Sequence, residues 1–178
     1  PCPEPCRSRN GDFVGMFNGK PYAVFEFIQG IHPEHLSADQ RIDLVRHVAE
    51  LHMLTKDYEP LHNTDRWNYN PDFCREQAQD RAQKQNTEDG HKKAAWIFRE
   101  LDALELPDAI PKGICHCDFD YTNLLFDGDR LTALLDFDDA NHTYLLFDLV
   151  HLIEGAAWPH DGGFDIGKAR TVIEEYTA

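Results

Sequence analysis

The stretch Cys115-His116-Cys117-Asp118-Phe119-Asp120-Tyr121-Thr122-Asn123, followed by Leu134-Leu135-Asp136-Phe137-Asp138-Asp139, decides how this chain is read. It is a polar loop, a short hairpin and a second acidic turn. Leu124-Leu125-Phe126 suits one strand, Asp127-Gly128 is a hairpin-turn pair, and Leu131 to Leu135 suits the return strand. The return delivers Asp136 beside the loop that carries Asp118 and Asn123. One carboxylate near a hydroxyl nucleophile, with an amide oxygen and a second carboxylate for Mg2+, is the donor set that phosphoryl transfer uses. The competing reading makes all three residues turn and cap residues, since Asp and Asn favour such places.

A chain of 178 residues suffices for one domain with a sizeable core. With 42% hydrophobic and 28% charged residues and a mean hydropathy of −0.56, the composition is ordinary for a globular protein. The formal charge of −15 argues against a nucleic-acid partner and against an anionic membrane surface. Protonating the ten histidines would bring the charge to about −5, so surface charge should change between pH 7 and 5. No apolar run is long enough to span a bilayer, and no signal-peptide pattern is present. Five scattered cysteines, an odd number, point to a reducing compartment, with a cytoplasmic location expected.

Working outward, Pro1-Cys2-Pro3-Glu4-Pro5 is an extended lead-in, and Asn18-Gly19 is a strong hairpin turn between Phe13–Phe17 and a strand from Tyr22 to Ile28. Ser37 with Gln40 fits a capping box for a helix that runs to about Leu54. His52 on its apolar face reads as a hydrogen-bonded packing residue. Asp57 to Pro71 reads as a loop, Phe73–Gln85 and His91–Leu104 as helices, and Pro107 to Gly113 as a loop. Ala140 to Thr143 is a short connection into an apolar helix from Tyr144 to Trp158, ended by Pro159. Another helix starts at Ile166. Cys115-His116-Cys117 invites a zinc reading, but adjacent ligands rarely close a tetrahedron, and buried free thiols are the ordinary alternative.

The pattern His116-x-Asp118-x-x-x-x-Asn123 followed by Asp136 resembles the aminoglycoside phosphotransferase and choline kinase superfamily, relatives of protein kinases. Gly113 to Asp118 and Asn18 to Phe27 look most like its homoserine kinase branch, and Phe147-Asp148-Leu149 follows in order. The resemblance implies an α+β, protein-kinase-like fold. A mainly helical C-terminal lobe (32–178) would carry a small catalytic hairpin, after a remnant β-hairpin of the N-terminal lobe (1–31). It implies Asp118 as catalytic base, Asn123 and Asp136 as Mg2+ ligands, and Phe25, Glu26, Phe27 and Ile28 as the hinge that bonds the adenine of ATP. His116 would hold the loop, and Asp148 would brace it through backbone N–H groups.

The implied activity is transfer of the γ-phosphate to a small-molecule hydroxyl, with a homoserine-like acceptor first. An aminoglycoside- or choline-type kinase is the alternative, and the acidity would suit a cationic acceptor. A non-catalytic kinase-like binding module is the reading of another class. In the family a Gly-rich phosphate loop and a strand lysine lie upstream of the hinge, and further helices follow at the end. The expectation is therefore a fragment that binds ATP poorly and is inactive alone, with exposed apolar surface as a route to self-association.

Overall fold

The computed structural model describes residues 1–61, 68–107, 109–158 and 162–178. Its contacts divide the chain into two compact units: 1–51 with 118–139 and 149–178, and 52–117 with 140–148.

The first unit opens with a hairpin of β1 (Val14–Phe17) and β2 (Lys20–Ala23), closed by Asn18 and Gly19 at φ 49° and 75°. Positive φ at both central residues is what a tight hairpin turn demands, and Asn-Gly meets it at least cost. The strand expected to reach Ile28 stops at Ala23. Beyond it the proline-rich lead-in lies alongside, with Cys6 N–H on the Val24 carbonyl at 2.7 Å and a single bridge between Pro5 and Phe25. Pro3 and Pro5 have no N–H to give, which interrupts a regular ladder there.

The chain next crosses the catalytic hairpin candidate, β4 (Leu124–Asp127) and β5 (Arg130–Leu134). Ile31 and Phe126 exchange backbone hydrogen bonds at 2.8 and 3.0 Å. Gly30 permits the approach: a Cβ there would lie 2.6 Å from Thr132 Oγ1 and 2.8 Å from Leu125 Cβ. The β4–β5 turn falls on Gly128 and Asp129, one position later than expected, and a register shift lies between Leu125 and Phe126. Helix α1 (Ala38–Thr55) begins at the expected capping box. Ser37 Oγ accepts the Gln40 N–H at 3.1 Å, and Gln40 Oε1 accepts the Ser37 N–H at 3.0 Å. With α4 (Leu146–Ala157) and α5 (Ile166–Thr177), α1 closes a core of Leu44, Val48, Leu124, Leu131, Leu152 and Val172. Burying each such side chain contributes roughly 1.5–3 kcal/mol.

The second unit holds α2 (Pro71–Gln85) and α3 (Glu88–Ala103), capped by Asn70 and Thr87. It also holds an antiparallel pair that the sequence does not advertise, β3 (Lys112–Cys115) with β6 (Asn141–Tyr144). Both segments read as connections because the inward face of β6 is polar. Buried Asn141 donates to Cys117 Sγ at 3.7 Å and buried Thr143 to the Tyr69 carbonyl at 3.1 Å. The expected helix stop at Pro159 lies outside the described residues, as do residues 62–67 of the expected loop.

Ser37 Oγ also donates to Asp129 Oδ1 at 3.0 Å, tying the helix start to the hairpin turn. Ser37→Ala should therefore lower stability by about 1 kcal/mol. That corresponds to roughly 2–4 °C in Tm, measurable by thermal denaturation followed by circular dichroism.

Candidate active site

Asp118 stands at the head of a loop that a series of short-range bonds folds tightly. Asp120 N–H donates to Asp118 Oδ1 at 3.3 Å, and Asp120 in turn accepts Thr122 N–H at 2.9 Å and Thr122 Oγ1–H at 2.7 Å. The Thr122 hydroxyl and N–H hold the Asp120 carboxyl below the usual carboxylate range. Its contribution to order is present at neutral pH and lost as pH falls through that lowered value. Asn123, closing the 3-10 turn Tyr121–Asn123, is buried at 7% exposure. Its Nδ2 donates to Asp118 Oδ2 at 2.9 Å. The amide nitrogen is spent on Asp118, which leaves Oδ1 as the acceptor for an ion.

Asp136 reaches the same neighbourhood through the β4–β5 ladder. Leu135 N–H donates to the Asn123 carbonyl at 2.8 Å, so Asp136 follows the residue paired with Asn123. Asp136 has φ 60°, a left-handed conformation that costs a non-glycine residue about 1–3 kcal/mol. Its Oδ1 accepts the Asp138 N–H at 3.3 Å, in the 3-10 turn Phe137–Asp139. An amide oxygen and a carboxylate oxygen are hard donors that fit Mg2+.

In the second unit, Asp148 is fully buried and its two oxygens collect three N–H donors. Oδ2 accepts His116 N–H at 2.8 Å and His52 Nε2–H at 3.0 Å, and Oδ1 accepts Cys117 N–H at 3.0 Å. A buried carboxylate is tolerable when its lone pairs are filled in this way. Cys117 has φ 70°, so the chain turns left-handed immediately before Asp118. His116 is itself fully buried. Cys115 is the last residue of β3, so Cys117 lies beyond the strand. Both thiols pack with Leu145, beside Phe147, which stacks on Tyr69 with ring centroids 4.7 Å apart.

Sequence reasoning singles out Asp118, Asn123, Asp136 and Asp148 as candidates but misses that His52 meets Asp148, across 96 positions of chain. Spacing within one helix carries no signal for such a pair. His52, Cys115 and Asp148 offer ligand atoms within 4.8 Å of one another. The cluster is nevertheless a hydrogen-bonded core. The Cys117 side chain, burial and the Asp148 charge push the Cys115 thiol far above its ordinary range, so it keeps its proton.

Phe25, Glu26, Phe27 and Ile28 form an irregular, largely exposed segment, Phe27 at 84% exposure. Glu26 N–H donates to the Glu4 carbonyl at 3.0 Å, and Glu26 Oε1 accepts Glu4 N–H at 3.1 Å.

Thiol labelling checks the burial. Cys2 and Cys6 are exposed, while Cys115 and Cys117 are buried. At pH 8 an aromatic disulfide reagent should modify Cys2 and Cys6 fastest, and Cys115 and Cys117 only after denaturant is added. Rapid native labelling of Cys115 would contradict the arrangement.

The chain is 32% identical over 180 residues to a homoserine kinase of Parvibaculum lavamentivorans, covering 99% of this chain and 54% of that protein. It thus spans about half the length of the relative it matches. An amicoumacin kinase solved with AMP-PNP and Ca2+ superposes with a TM-score of 0.68 at 13% identity, covering 99% of this chain and 55% of that one. An aminoglycoside phosphotransferase from Alicyclobacillus acidocaldarius superposes with a TM-score of 0.65 at 16% identity, covering 98% and 58%. These structures show the kinase-like α+β fold. The profile of the APH phosphotransferase enzyme family matches residues 1–176, and the chain belongs to that family.

Proposed function

We propose that this chain carries the catalytic loop of an ATP-dependent small-molecule kinase whose acceptor is the hydroxyl of a homoserine-like compound. The observation that carries the reading is the bond from Asn123 Nδ2 to Asp118 Oδ2 at 2.9 Å, beside the Leu135–Asn123 backbone pairing. Together they support the reading of Asp118 as a carboxylate base with Asn123 and Asp136 as oxygen ligands on neighbouring backbone. In this reading Asp118 orients the acceptor O–H and takes its proton. The acceptor oxygen bonds the γ-phosphorus as the bond to the bridging oxygen of ADP breaks. Asn123 and Asp136 would hold Mg2+, which neutralises charge on the phosphates when bound. Positioning and charge stabilisation account for most of phosphoryl transfer, so the loop's internal bonds matter more than any raised pKa.

The same reading makes 1–31 the end of a small lobe, 32–178 the catalytic lobe and Phe25–Ile28 the hinge. Since Glu26 N–H is taken by Glu4, the adenine edge would meet the backbone of Phe27 and Ile28. The homoserine kinase of Parvibaculum supports the acceptor. The charge of −15 favours a second reading, a cationic aminoglycoside or choline-type acceptor.

The test is an ATP-dependent phosphorylation assay of homoserine, an aminoglycoside and choline with the full product of the gene. Homoserine should give the highest kcat/KM. A preference for a cationic acceptor would replace the acceptor while keeping the mechanism. Asp118→Asn should cut kcat about 10²–10⁴-fold with nucleotide affinity nearly unchanged. Turnover near wild type would exclude Asp118 as base. Asp136→Asn should instead raise the Mg2+ concentration needed for half-maximal rate, read from a Mg2+ titration at fixed ATP. An unchanged requirement would remove Asp136 from the metal site.

A further inference from the structure

We propose that Asp43 is a positioning residue for Asp136, acting through the backbone of β5. The inference rests on the reading of Asp136 as a Mg2+ ligand.

Strand β5 is held by more than its ladder. Phe126 spends its N–H and its carbonyl on Ile31, at 3.0 and 2.8 Å. A strand residue directs both groups to one side, so Leu131, paired opposite Phe126, receives no ladder bond from it. Leu131 is 1% exposed, and a buried N–H without a partner is destabilising. The partner comes from α1: Leu131 N–H donates to Asp43 Oδ2 at 2.7 Å, across 88 positions of chain. His47 flanks the same carboxylate, with Nδ1 3.5 Å from Oδ2 and 2.8 Å from the Asp43 carbonyl. Ser37, Gln40 and Asp43 follow one another along one side of the helix start. Ser37 Oγ meets Asp129, Gln40 Nε2 donates to the Gly128 carbonyl at 2.9 Å, and Asp43 takes Leu131. The first two contacts hold the turn, and the third grips the return strand.

That grip falls beside an irregularity. Leu125 pairs with Ala133 and Phe126 with Leu131, so Thr132 is an extra residue in β5. A bulge of this kind offsets all later pairing by one position. Losing it by slippage would turn the β5 side chains to opposite faces and shift Asp136 by one residue relative to Asn123. Thr132 Oγ1 donates to the Leu125 carbonyl at 3.1 Å, and Asp43 fixes the residue just before Thr132. A hold on Leu131 therefore sets where Leu135 meets the Asn123 carbonyl and where Asp136 begins.

Two variants of the full gene product separate this role from surface charge and from packing. Asp43→Asn keeps an oxygen acceptor at the same reach and removes the charge. Asp43→Leu removes the acceptor at similar bulk. Amide hydrogen exchange, followed by nuclear magnetic resonance, needs no activity. In Asp43→Leu the Leu131 amide should exchange about tenfold faster than in wild type, relative to Val48 in α1. Asp43→Asn should restore most of the protection. In a Mg2+ titration at fixed ATP, Asp43→Leu should raise the Mg2+ concentration for half-maximal rate about tenfold, with KM for the acceptor changed less than about twofold. Asp43→Asn should return the Mg2+ requirement to within about twofold of wild type.

An unchanged Mg2+ requirement in folded Asp43→Leu would overturn the proposal, as would unchanged exchange at Leu131. An Asn variant as impaired as Leu would also overturn it, because Asp43 would then act as a distant charge and not as an acceptor. If Asp43→Leu does not fold, the wild type decides. Its Leu131 amide signal should shift as the Asp43 carboxyl carbon titrates, and a Leu131 amide indifferent to that titration sinks the proposal. If Asp136→Asn leaves the Mg2+ requirement unchanged, the metal reading fails by itself, and the link from Asp43 to the ion fails with it. Faster Leu131 exchange in Asp43→Leu would then leave the hold on β5 standing.

Discussion

The Asp148 carboxylate, removed from water and filled by His52, His116 and Cys117, is the constraint on which the loop geometry depends. A buried charge of this kind costs several kcal/mol unless each lone pair finds a donor. Here the donors are two successive backbone amides and one imidazole, so the solvation the carboxylate needs is supplied by the chain that leads into Asp118. Removing the carboxylate would leave three buried donors unsatisfied at once. The left-handed turn at Cys117 is sustained within the same arrangement.

A second left-handed residue, Asp136 at φ 60°, repeats the device at the far end of the hairpin. The β4–β5 ladder brings it back to Asn123, and the core beneath, with Leu124 and Leu131 almost fully buried, anchors both strands. Besides Asn18 and Asn86, the left-handed non-glycine residues among those described are Cys117, before the proposed base, and Asp136, a proposed metal ligand. Regular secondary structure, capped at Ser37 and turned at Gly128, supports the latter two from outside.

Much of this was legible before any coordinates, for local reasons. Ser37 and Gln40 announce a helix start, Asn18-Gly19 a hairpin, and the loop from Asp118 to Asn123 its own turn, because each signal lies within a few residues. The illegible parts are those settled by distant chain. Strand β6 buries Asn141 and Thr143 in place of apolar side chains, so its pattern is hidden. The segment from Phe25 to Ile28 meets the proline-rich lead-in in an isolated bridge, Pro5 with Phe25, in place of the expected strand. His52 looks like one more residue of an apolar helix face until Asp148 arrives beside it.

The central claim is that Asn123 and Asp136 hold an ion beside Asp118, and paramagnetic broadening by Mn2+ tests it most directly. Titrating Mn2+ with ATP into the nitrogen-15-labelled protein should broaden the Asn123 side-chain amide and the Asp136 and Phe137 backbone amides first. The acidic surface around Asp39, Asp43, Asp127 and Asp129 should follow only at higher concentration. Broadening that begins at that surface, with Asn123 and Asp136 unaffected, would contradict the account.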